Sequence, residues 1–170
     1  MDTLRRWHFE DLIKESNMSR ERVHTLLKEL CNEYFIQRVN PKNKMPYYLA
    51  NKDLSKFRSE KRLYGLKLLE ESGLFENIIS CKEIKTAILF GSFARGNWTR
   101  SSDIDIFIFG KDTHFEKGKF ELKLKREIQL FTFDDAKKMK KELDPKLIPN
   151  ISNGFHITSD FEPFKVIIDV

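Results

Sequence analysis

Asp103 and Asp105 stand two positions apart in Ser102-Asp103-Ile104-Asp105-Ile106, shortly after the stretch Gly91-Ser92-Phe93-Ala94-Arg95-Gly96. On an extended strand, residues two apart project from the same face, so the two carboxylates lie side by side. Their Cα atoms are about 6.6 Å apart, for a rise of roughly 3.3 Å per residue. Anions placed this way repel each other and lose hydration unless a cation neutralises them, and a divalent-metal site is the chemistry that suits the pair. Solvated aspartates on an edge strand fit less well. Ile104, Ile106 and Ile108 supply one apolar face, and Phe107 and Phe109 continue the other.

The glycine-serine stretch follows Ala87 to Phe90, a short apolar run of the length of a buried strand. Gly91 lets the chain leave that strand through a tight turn, bringing backbone N–H groups and the Ser92 hydroxyl close to an anion. A helix opening at Ser92 would add its partial positive charge, with Arg95 in or near the first turn. A lone glycine-serine pair is usually an ordinary turn. The order of strand, turn and acidic strand is what singles this one out.

Together, Gly91-Ser92, Arg95-Gly96 and Ser102-Asp103-x-Asp105 resemble the signature of the nucleotidyltransferase superfamily that includes DNA polymerase β. Within it, the chain looks like the small archaeal and bacterial minimal nucleotidyltransferases, over Lys85 to Phe133. The resemblance implies an α+β fold with a small mixed sheet. Gly91, Ser92, Arg95 and Ser102 would bind the nucleotide, and Asp103 and Asp105 would hold Mg²⁺, two ions in an active enzyme. It also implies transfer of a nucleotide, by family habit AMP from ATP, to a hydroxyl of a macromolecular acceptor, with pyrophosphate released. Some relatives are antitoxins that adenylylate a toxin of the HEPN class, which makes such a protein an implied partner. The family's third carboxylate belongs on the strand Glu127 to Phe133, where this chain places Gln129 at the expected position. An amide offers a carbonyl oxygen but no negative charge. Glu127, two residues earlier on the same face, is either the replacement acid or an exposed charge at the strand entrance.

The elements that position these residues belong to a chain of 170 residues with 40% hydrophobic content, enough for one ordinary domain or two small ones. Lys and Arg number 31 and Asp and Glu 26, a net charge of +5 spread over both halves. The sequence has no apolar segment near the roughly 20 residues needed to span a bilayer. Met1 to Glu10 carry charges in place of a signal-peptide apolar region, so the expected location is cytoplasmic. Cys31 and Cys81 are too few for a disulfide framework or zinc site and read as buried free thiols.

Three segments follow from the patterning: 1–52, 53–80 and 81–170. In the first, Phe9, Leu12 and Ile13 mark a short helix, Asn17-Met18 a break, and Ser19 the N-cap of a second helix with Val23, Leu26, Leu27 and Leu30 on one stripe. Tyr34 to Val39, a polar turn and Tyr47-Tyr48-Leu49 form a hairpin. Helix, turn, helix and hairpin resemble a winged helix-turn-helix, and the short stretch before Phe9 implies that its usual first helix is abbreviated. That arrangement admits duplex DNA, with Arg20 and Arg22 on the second helix and Arg38, Lys42 and Lys44 on the hairpin meeting it. It equally suits subunit pairing or packing on the transferase.

Asp53 to Ser72 reads as a connecting helix ended by Gly73, with Leu63, Tyr64, Leu66, Leu68 and Leu69 turned inward. So broad an apolar surface suits a homodimer seam as well as a core. Thr113-x-x-Glu116 reads as a capping box for a helix, although Phe120, Leu122 and Leu124 equally alternate as on a strand; Lys117 to Arg126 is a basic run facing either phosphate, nucleic acid or solvent, Asp134 the cap of a closing helix, and Phe155-His156-Ile157 a last strand or a docking segment. His8, His24, His114 and His156 are assigned no catalytic role.

Overall fold

The computed structural model describes residues 5–164. Readings that touch residues 1–4 and 165–170, including the outer ends of the first and third segments, lie outside the described residues. The chain divides into two compact units, Met1–Glu60 and Lys61–Val170.

In the first unit, α1 (Phe9–Ser16) ends at Asn17, which takes a left-handed conformation. Helix α2 (Arg20–Asn32) opens on Ser19, whose hydroxyl accepts the Arg22 N–H at 3.2 Å, as its cap position predicts. Strands β1 (Ile36–Val39) and β2 (Tyr47–Ala50) form an antiparallel hairpin. Trp7, Leu12, Val23 and Leu27 make the core, with Phe9, Ile13, Ile36 and Tyr48 packed on it. Of the α2 stripe, Leu26 and Leu30 are only half-buried, as is Cys31, because this small unit covers one narrow face of the helix.

Helix α3 (Ser55–Glu71) runs across the division between the units. In its second-unit part Gly65 and Leu69 are buried, but Leu63 and Tyr64 are 61% and 62% exposed, which corrects the inward placement of both. Gly73, at φ +84, ends α3 and begins α4 (Leu74–Ser80).

The second unit is built on a sheet ordered β5-β4-β3-β6. Its strands are β3 (Ile84–Phe90), β4 (Ile104–Gly110), β5 (Ile128–Phe133) and β6 (Phe155–His156). β3 pairs antiparallel with β4 and β6, while β4 and β5 are parallel, joined through α6 (Lys117–Leu124). Between β3 and β4 lies the short helix α5 (Gly91–Arg95). α7 (Ala136–Glu142) and α8 (Ile148–Ser152) follow β5.

Strand alternation sorts the side chains onto two faces. Ile104, Ile106 and Ile108 pack with Leu69, Leu74, Ile78, Phe93 and Phe120, while Phe107 and Phe109 pack with Ile88, Met139, Leu143 and Ile151. The sheet is therefore covered on both sides, as the alternating isoleucines and phenylalanines require.

Two caps differ from expectation. The Thr113 hydroxyl donates to Glu83 across the fold, so no capping box forms and α6 opens on Glu116 without a side-chain cap. Asp135, not Asp134, caps α7, accepting the N–H groups of Lys137 and Lys138 at 2.9 and 2.8 Å. Among the described residues, no helix is long and apolar enough to cross a membrane.

Candidate active site

Phe90, the last residue of β3, lies opposite Asp105 on β4, so the turn at Gly91 begins beside that carboxylate. Gly91 has φ +68, and a Cβ built there would meet Asp105 Oδ2 at 2.0 Å and Cγ at 2.9 Å. Glycine is thus required twice over, for the left-handed backbone and for the room the carboxylate takes. α5 then opens with no side-chain cap, leaving its first N–H groups without intrahelical partners. Ser92 is half-buried, and its hydroxyl makes no hydrogen bond among the described residues. Gly96, at φ +73, ends the helix, its N–H donating to Phe93 and Ser92 carbonyls.

Asp105 points to the face that α7 and α8 cover further along the sheet. Gln129 is its direct partner on parallel β5 and shares that face. The Gln129 amide Nε2 donates to Asp103 Oδ2 at 2.8 Å, which places Asp103 there as well. The two acids therefore lie on one face, and the amide joins them there. Burial pushes the Asp105 carboxyl above its ordinary value, the charge of Asp103 pushes it further, and Arg95 opposes both. Arg95 is exposed on α5, with Nη1 donating to Asn150 Oδ1 of α8 at 3.4 Å.

Ser102 serves the loop. Its Oγ accepts the Thr99 N–H at 2.8 Å and lies 3.2 Å from the Thr99 hydroxyl. Glu127 is exposed, makes no side-chain hydrogen bond or ion pair among the described residues, and lines a shallow concavity with Lys117, Glu121 and Lys125. Among the described residues, no three His, Cys, Asp or Glu side chains gather into a metal-binding group.

Arg126 is the residue whose role the sequence left unread. Its Nη1 donates to the carbonyl oxygens of Thr99, Arg100 and Ser102 at 2.8, 3.0 and 2.8 Å, pinning the loop that delivers Asp103. The guanidinium lies 5.2 Å from the Phe93 ring and 5.3 Å from the Trp98 ring, which stack on each other at 5.1 Å. Trp98 in turn packs on α3, where Gly65 leaves space for its indole, and Trp98 Nε1 donates to the Lys61 carbonyl at 3.2 Å. The guanidinium sits about equally far from the two stacked rings, and this cluster ties α5 to the loop before the acids. The basic run also turns partly inward, since Lys123 donates to the Ser72 carbonyl at 2.6 Å.

On the first unit, Arg20 is paired with Glu10 at 2.8 Å, whereas Arg22, Arg38, Lys42 and Lys44 are exposed and make no ion pair among the described residues.

Residues 74–168 match the family described as Nucleotidyltransferase domain. A 45-residue stretch is 51% identical to a Methanocaldococcus jannaschii protein named "Putative protein adenylyltransferase MJ0604". That match covers 25% of this chain and 44% of the relative, so it spans less than half the relative's length. No solved structure matches.

Proposed function

The chain belongs to the nucleotidyltransferase domain family, and from that premise we propose that its second unit transfers AMP from ATP to a hydroxyl of a macromolecule. The observation that carries this reading is the approach of Gly91 to Asp105. It sets the turn directly against Asp105, which supports a polyphosphate at the turn lying within reach of a cation on the acids.

Members of this family generally use a nucleoside triphosphate and a divalent metal. The residues fit such a metal. Two carboxylates share one face; burial first and the neighbouring Asp103 charge second hold the Asp105 carboxyl above its ordinary value, and a cation relieves both. Asp103 and Asp105 would hold it, and Mg²⁺ bound there would neutralise phosphate charge during in-line displacement. Ser92 and the opening N–H groups of α5 hold phosphate oxygens, and Arg95, steadied by Asn150, adds positive charge beside them. Arg126 keeps the loop rigid, so that the acids are placed before substrate arrives. The acceptor oxygen bonds to the α-phosphorus as the bond to pyrophosphate breaks. The acceptor hydroxyl gives up its proton in that step, and the Gln129 amide, which is no base, does not take it.

The relative's name favours adenylyl transfer with a protein as acceptor. The test is incubation of the full chain with α-labelled ATP, Mg²⁺ and the protein and RNA fractions of cells that express it. Label should appear on protein and vanish with Asp103→Asn. Absence of transfer to either fraction refutes the enzyme reading.

A second reading concerns the first unit, which we propose meets duplex DNA through its hairpin. Its support is the exposed, unpaired set Arg38, Lys42 and Lys44, with no acid anywhere from Phe35 to Lys52. Salt-sensitive duplex binding that survives Asp103→Asn, without any transfer, would make the protein a regulator.

A further inference from the structure

The position where the family carries a third acid holds an amide here, and the way that amide is bonded bears on how many cations the cleft takes. Gln129 sits in register with Asp105, and its Nε2 donates to Asp103 Oδ2 at 2.8 Å. A carboxylate only accepts, so the amide must present its N–H side to Asp103 and turn its carbonyl oxygen away. The bond occupies a lone pair on Asp103 that a carboxylate neighbour would leave free for a shared metal ligand.

Charge argues the same way. Two cations about 3.5–4 Å apart repel strongly and need bridging anions between them. This cleft supplies two carboxylates, with no third His, Cys, Asp or Glu gathered to them among the described residues. Glu127, the remaining candidate acid, is exposed, and among the described residues its side chain makes no hydrogen bond or ion pair to hold it toward the cleft.

We infer that the cleft takes one divalent cation together with its nucleotide, where the family pattern implies two, and that Gln129 is the residue that limits it. The inference rests on the nucleotidyl-transfer reading above, and its stoichiometry is separately testable.

Mn²⁺ binding to the full chain, saturated with a non-hydrolysable ATP analogue, is followed by electron paramagnetic resonance, which counts bound ions and reports spin coupling between close pairs. The expected result is one bound Mn²⁺ with an uncoupled spectrum. Gln129→Glu, or the shorter Gln129→Asp, should take up a second ion and show coupling. Two coupled ions in the unaltered protein overturn the inference while leaving nucleotidyl transfer intact. If Glu127→Gln then removes one of them, Glu127 is the third acid. One ion in the unaltered protein and one in both Gln129 variants overturns the assignment to Gln129. No bound Mn²⁺ at all overturns the inference and the transferase reading together.

Discussion

Replacing Gly91 by alanine should damage the acidic cleft through two separable effects. The first is backbone strain, since φ +68 is a left-handed conformation that costs an L residue about 1–2 kcal/mol. The second is steric, because the new methyl would fall 2.0 Å from Asp105 Oδ2 and 2.9 Å from Cγ. Relief requires moving the carboxylate by roughly 1 Å, and a misplacement of that size costs on the order of 10²-fold in rate. Strain alone should lower the melting temperature of the second unit by roughly 5–10 °C. A double-mutant cycle isolates the contact. In Asp105→Ala only the Cβ at 3.2 Å remains opposite the new methyl, so the steric part disappears while the strain persists. Gly91→Ala should therefore cost less in the Asp105→Ala background, by at least about 0.5–1 kcal/mol in urea-unfolding free energy. Equal costs in both backgrounds would refute the claim that the turn and the carboxylate contend for one space.

In chelator, stability should follow the Asp105 carboxyl. Its proton is held more tightly in the folded chain than in the unfolded one, so stability falls as pH rises from the ordinary value of 3.8 through the raised folded value. Asp105→Asn should remove that slope and unfold at higher urea than the parent at neutral pH, yet lose more than about 10²-fold of transfer activity. Arg126→Met, which keeps an apolar stem, should cost about 2–3 kcal/mol from the lost carbonyl bonds and speed amide exchange across residues 97–102. Gly65→Ala should destabilise by about 1–3 kcal/mol, because its methyl would stand 2.8 Å from Trp98 Nε1, and calorimetry of the full chain would register the loss. Replacing Arg38, Lys42 and Lys44 together by alanine should abolish salt-sensitive duplex binding without changing transfer, as a filter-binding titration would report.

The sheet and its acidic edge were legible because alternation is a local signal. The alternation of Ile104, Ile106 and Ile108 against Phe107 and Phe109 determines the face that Asp103 and Asp105 share. Ser19 was equally readable as a cap, since its partner lies three residues away. What failed depended on groups distant in sequence. Thr113 has the spacing of a capping box, yet its hydroxyl is taken by Glu83, 30 residues earlier. Leu63 and Tyr64 belong to a helix that is apolar on most sides, and nothing local says which residues the fold will cover. Asp134 and Asp135 are chemically alike, so only the chain's path into α7 chooses between them. Arg126 reads from the sequence as the end of a basic run and as the basic residue of the pattern that places Gln129, with no partner of its own. Its task, holding three carbonyls of a loop 24 to 27 residues away, exists only once β5 lies beside β4.

Titration calorimetry of a non-hydrolysable ATP analogue into the full chain, with and without Mg²⁺, tests the shared cleft most directly. Binding should depend on Mg²⁺ and be lost when Asp103 and Asp105 are both changed to asparagine. Binding of equal strength in the doubly substituted protein, or binding indifferent to Mg²⁺, would contradict a shared cleft.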